Sequence, residues 1–105
     1  MKVYEGTVTP GEMNWQVTVD GKRLNPRYDL RNHSPDGFAW GYGGSGPAQL
    51  ALAILADCTD DETAQKYYQD FKFAVIGSLA QDKGFELTEA EVKNVLDTLK
   101  IRRGE

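Results

Sequence analysis

Trp15, Val17 and Val19 alternate with Asn14, Gln16, Thr18 and Asp20, the two-residue period of a strand with one buried face. Asp20-Gly21 follows, a dipeptide that tolerates positive φ at both positions of a tight hairpin turn, so the chain is expected to return through Lys22-Arg23-Leu24. Val3 to Val8 is a further strand candidate, ended by Pro10-Gly11. Residues 25–37 hold Pro26, Asn32, Pro35 and Asp36-Gly37 with few apolar anchors, a loop pattern.

The period then changes to that of helices. Pro47 suits a first helical position, and Ala48 to Ala56 is apolar on every side except at Gln49, which predicts a central, buried helix. Thr59-Asp60-Asp61-Glu62 reads as a capping box ahead of Ala64, Tyr67, Tyr68, Phe71, Ala74, Val75, Ser78 and Leu79 at three/four spacing. Thr88-Glu89-Ala90-Glu91 is a second box, with Leu87 placed to staple onto Val92. That last helix carries Val92, Val95, Leu96 and Leu99 on one stripe and Lys100, Arg102 and Arg103 at its negative end. Strands first and helices afterwards predict an α+β fold: a small N-terminal antiparallel sheet or hairpins packed against about three C-terminal helices, the first, from Pro47, central and buried. One domain over 1–105 is expected, with strands and loop to residue 42, a turn over 43–46 and helices over 47–103.

Composition narrows the function classes. A chain of 105 residues has room for one core and not for a (β/α)-barrel or a full dinucleotide-binding domain. The net charge of −4 argues against a nonspecific nucleic-acid binder. Residues 1–50 are balanced, with five basic and five acidic side chains, so residues 51–105 supply all the acidity. Lys22, Arg23, Arg27 and Arg31 cluster within ten residues of the balanced half, which allows a local positive site. Cys58 is the single cysteine, so neither an internal disulfide nor a multi-thiolate zinc site is open to the chain. Met1 to Glu5 lacks the apolar run of a signal peptide, and Leu50 to Ala56 is far shorter than the ~20 residues of a membrane helix. A cytoplasmic protein without a membrane contact is expected.

Chemistry concentrates in Phe38-Ala39-Trp40-Gly41-Tyr42-Gly43-Gly44-Ser45-Gly46-Pro47. If extended, Phe38, Trp40 and Tyr42 share one face, and the bare opposite face admits close approach by a backbone or a ligand. A strand, a glycine-rich turn and a helix start together can capture an anion, because unpaired N–H groups point outward and missing Cβ atoms let the ligand near. The plainer alternative is a sharp turn, capped by Ser45 and continued by Pro47. Gly41, Gly43 and Gly46 satisfy G-x-G-x-x-G, but no βαβ unit surrounds them, and Pro47-Ala48 stands where a phosphate loop needs Lys-Ser/Thr. Ser45 resembles an elbow nucleophile only in outline, since the sole histidine, His33, precedes it and the hydrolase order is reversed. An enzyme is therefore disfavoured, and no catalytic residue, cofactor or metal is expected.

The candidate ligand site is Gly43, Gly44, Ser45 and Gly46, with Arg27, Arg31 and His33 as polar contacts and Trp40 or Tyr42 as a stacking surface. Each has a duller alternative: Arg27 and Arg31 solvated or paired with Asp29, His33 a loop hydrogen-bonder, Trp40 a core residue.

Asp29-Leu30-Arg31-Asn32-His33-Ser34-Pro35, Gly37-Phe38, Trp40 through Leu55, Tyr68-Gln69-Asp70-Phe71 and Phe85-Glu86-Leu87-Thr88 together resemble a family of small bacterial, archaeal and phage proteins of unknown function. Its signature is W-G-Y-G-G-S-G-P-A-Q-L-A-L-A-I-L. The resemblance spans nearly the whole chain and is weakest in residues 1–14. It implies no activity and no site residues; occurrence in phages implies that some members act on host or defence systems. Two expectations follow. The first is a non-enzymatic binding module for a nucleotide or other phosphate-bearing small ligand. The alternative is a protein-interaction or inhibitor domain, carried by phages or mobile elements, that binds a host protein.

Overall fold

In a computed structural model, residues 2–9, 11, 14–35 and 37–104 are described. Pro10 and Asp36, read above as turn residues, lie outside them. The chain runs β1 (Val3–Thr9), β2 (Asn14–Val19), β3 (Lys22–Arg23), α1 (Ser45–Cys58), α2 (Asp61–Ala74), β4 (Phe85–Thr88) and α3 (Glu89–Arg102). The class is α+β, as the two periods predict, with an antiparallel sheet in the order β3-β2-β1-β4.

The hairpin forms where expected. Asp20 (φ 50°) and Gly21 (φ 81°) both take the left-handed region that a two-residue turn between twisted strands requires. Alternation then sets one core face: Tyr4 and Val17 are buried, and Val8, Trp15 and Val19 pack against the same cluster. Gly6 shares this face with Tyr4 and Val8, and a side chain is excluded there because a Cβ would stand 2.9 Å from the Trp40 ring and collide with Phe85. Trp40 and Phe85 meet edge to face at 4.9 Å, a favoured aromatic geometry.

Four expectations are corrected. The first helix begins at Ser45, not Pro47, which falls in the first turn, where the missing N–H removes no helical bond. The cap of α2 is Asp60, whose carboxylate accepts from the Thr63 N–H at 2.7 Å. Thr59 instead donates its hydroxyl back to the Leu55 carbonyl at 2.6 Å and closes α1. The stripe drawn through Val75, Ser78 and Leu79 is not one helix, because α2 stops at Ala74 and a short 3-10 turn spans Ile76–Ser78. Finally, β4 intervenes between the helices and pairs with β1 from Val3↔Thr88 to Gly6↔Phe85. The Thr88 capping box of α3 forms in full. Helix α1 is the centre of the core, buried from Gly46 to Ala56 and again at Cys58.

Candidate functional site

The chain reaches α1 through residues 38–44, and these are not a strand. Gly41 takes φ +88°, which ends the alternation and throws the three aromatics into different environments. Phe38 is half-buried, Trp40 is fully buried, and Tyr42 is 43% exposed. Gly41 donates its N–H to the Ile76 carbonyl at 3.0 Å, and the Trp40 Nε1–H is shared between the carbonyls of Ala80 (3.1 Å) and Lys83 (2.8 Å). Trp40 is thus a core residue whose polar edge holds the segment before β4. It offers no face for a ligand.

Tyr42 folds back over the turn. A Cβ on Gly44 would collide with its ring, and one on Gly46 would stand 2.7 Å from the Ala39 Cβ and 3.3 Å from the Tyr42 hydroxyl. These two glycines serve close packing, since neither has positive φ. Gly44 is the N-cap of α1, in extended conformation and with no side-chain cap bond. Ser45 is the first helical residue and exposed, so it is not the cap. The first helical bond runs from the Ala48 N–H to the Gly44 carbonyl at 3.1 Å. Among the described residues, the N–H groups of Ser45 and Gly46 have no acceptor, the ordinary condition of an uncapped first turn.

A residue the sequence reading did not single out completes this corner. Lys72, only 7% exposed, brings its Nζ 3.5 Å from the Gly43 carbonyl and 4.3 Å from the centre of the Phe73 ring. No carboxylate among the described residues pairs with it. Phe73 is 68% exposed and lies against Gly43, with 3.6 Å separating its ring from a Cβ placed there. It also lines a cleft of about 360 Å³ with Asp70, Ala74, Leu99, Arg102 and Arg103. Phe73 was legible as an aromatic that falls off the Tyr67-Tyr68-Phe71 stripe. Lys72 carried no such signal.

The other expected contacts lie elsewhere. Arg27 donates to both oxygens of Asp61 at 2.9 and 3.0 Å and to both oxygens of Asp29 at 3.0 Å. It lines a cleft with Ala53, Ala56 and Asp57, at the C-terminal end of α1 and on the order of 20 Å along the helix from Gly44. The Arg27 hydrogen bonds hold the Asp29 carboxyl below its ordinary value, and the two carboxylates raise that of the guanidinium. Arg31 is exposed, and its carbonyl, like that of Pro26, accepts from the Gln49 amide. Gln49 also accepts from the N–H groups of His33 (2.8 Å) and Ser34 (3.3 Å). The one polar residue of the buried helix therefore pins the loop over residues 26–34. His33 brings its Nε2 2.7 Å from the Tyr68 hydroxyl. So Gly43, Gly44, Ser45, Gly46 and Tyr42 come together, while Arg27, His33 and Trp40 hold the scaffold, and Arg31 is tied to it only through its backbone carbonyl.

Among the described residues no three His, Cys, Asp or Glu side chains are grouped to hold a metal ion. No helix among them is long and apolar enough to cross a membrane. No curated protein and no solved structure matches the chain. A model of a family of unknown function (DUF6166) matches residues 4–98, nearly the whole of the fold just described, and the chain belongs to that family.

Proposed function

We propose that the protein is a non-enzymatic binding module that takes a phosphate-bearing small ligand at the start of α1. The observation that carries this reading is Lys72: a largely buried lysine whose ammonium has one long hydrogen-bond contact to a carbonyl and the Phe73 ring beside it, next to a helix start that has no side-chain cap and no acidic residue in its first turn. An anion there would meet the free N–H groups, the positive end of the helix dipole and the ammonium together. The starts of α2 and α3 carry Asp61 and Glu62, and Glu89 and Glu91, which already supply the negative charge. Tyr42 and Phe73, both exposed beside the turn, replace Trp40 as the surface on which a nucleotide base would stack.

The test is titration calorimetry with pyrophosphate, AMP and ATP. Saturable binding is expected for at least one of them. Ser45→Asp should abolish it without loss of melting temperature, because a carboxylate in the first turn suits the helix and repels the anion. Lys72→Met keeps the buried stem and should weaken binding tenfold or more. Absence of saturation across the three ligands, or unchanged affinity in both variants, overturns the reading.

The second reading, a domain that binds a host protein, is favoured by the same exposed Phe73 and Tyr42, since aromatic residues outside the core are common anchors of protein interfaces.

A further inference from the structure

Strand β2 is paired along its whole length on one side only. β1 covers Asn14 to Val19. On the other side β3 covers just Thr18 and Val19, with one further bond from the Leu24 N–H to the Val17 carbonyl at 3.1 Å. The register says which groups face the uncovered side. The Asp20 N–H bonds the Val3 carbonyl and the Leu24 N–H bonds that of Val17, so even positions of β2 turn their backbone groups to β1 and odd positions turn theirs to β3. Trp15 therefore points its N–H and C=O past the end of β3. Neither has a partner among the described residues.

Beside this edge lies a cleft of about 280 Å³, walled by Trp15, Val17, Leu24, Pro26, Gly37 and Phe38. Its main wall is preset: the Trp15 Nε1–H donates to the Gln81 carbonyl at 3.1 Å, and the ring meets Trp40 at 6.3 Å. Arg23 also lines the cleft; it is exposed and has no ion pair among the described residues.

We infer that this edge is the docking site for an extended, acidic segment of a partner protein, which would add as a short strand beside Asn14–Gln16. Main-chain bonds to Trp15 would supply the pairing. One apolar side chain would enter the cleft, and a carboxylate would meet Arg23. Three uncovered residues give about 10 Å of edge, enough for a short segment. A second copy of this chain fits worse, because in an isologous contact each copy would bring its own Arg23 to the same short gap. The site is separate from the glycine turn and does not depend on the function proposed there.

The test uses a capped hexapeptide alternating valine and glutamate, its lysine counterpart, and the glutamate peptide N-methylated at alternate amides. Amide hydrogen exchange is read at Trp15 and affinity by Trp fluorescence. The glutamate peptide should bind saturably and slow exchange at Trp15 tenfold or more. The lysine peptide should bind at least tenfold more weakly, and one of the two N-methylation patterns should abolish binding. Arg23→Glu, an exposed change, should reverse the charge preference. No binding of the glutamate peptide overturns the proposal, as does equal binding of both N-methylated forms. Sedimentation showing that the chain pairs with itself through this edge also overturns it.

Discussion

The two ends of α1 are built on opposite principles. At its C-terminal end almost every polar group is answered. Asp57 accepts from the Tyr4 hydroxyl at 2.8 Å and the Lys2 ammonium at 3.2 Å, Thr59 closes the last turn, and Arg27 bridges the loop to α2 through Asp61. At its N-terminal end the cap is a glycine, the first turn has no acid, and Lys72 brings a charge without a counter-charge among the described residues. One fold holds both, so the open end is not a general looseness of the chain. Stability is concentrated where groups are paired, and chemistry is available where they are not.

This contrast can be broken in order of expected effect. Gln49→Leu should be the most damaging, because it leaves the His33 and Ser34 N–H groups and two carbonyls without their partner under the loop. A loss of about 3 kcal/mol or more in urea denaturation is expected. Asp57→Ala strips the buried Tyr4 hydroxyl of its acceptor and should cost about 2 kcal/mol by the same measurement.

The pH limits come next. Burial, reinforced by the bond to Asp57, pushes the Tyr4 phenol well above its ordinary value of 10.0. Its contribution is complete below about pH 10 and is lost as pH rises further, while the unfolded chain ionises. Tyr4→Phe should flatten the alkaline limb of melting temperature against pH. The Thr63 N–H holds the Asp60 carboxyl below its ordinary 3.8, so that contribution is present above this value and fades as pH falls through the folded one. Asp60→Asn keeps a capping side chain and should flatten the acid limb. At the open end, Ser45→Ala should move stability by less than about 0.5 kcal/mol. A large loss there would erase the contrast.

Local signals were legible in the sequence and distant pairings were not. Asp20-Gly21 and the Thr88 box depend on neighbours within four residues, and both formed as read. Phe85-Glu86-Leu87-Thr88 alternates weakly, and its partner β1 lies some eighty residues earlier, so no local pattern announces it as a strand. Asp60 displaced Thr59 as the cap because Thr59 had a nearer use in ending α1. In the candidate site, the glycine turn was recognisable while its company was not. Arg27 is close to the turn in sequence, but Asp61 and Asp29 hold its side chain toward the far end of α1, while Gln49 pins the backbone of residues 26–34 and, among the described residues, leaves no side-chain contact from Arg31 to the turn. Lys72 reaches the turn only through the packing of α2 on α1.

The sheet order has a consequence for how the chain comes to be folded. The inner strand β1 is made first, yet its neighbour β4 ends at Thr88. During synthesis the β1–β2–β3 hairpins can form early, but one flank of β1 stays unpaired until α1 and α2 have been made. Through that interval Gly6 has no Phe85 ring above it and Trp40 lacks the Lys83 carbonyl. The nascent protein is therefore most exposed to edge-to-edge aggregation just before its last strand arrives, and its slowest folding step should be the docking of residues 85–88.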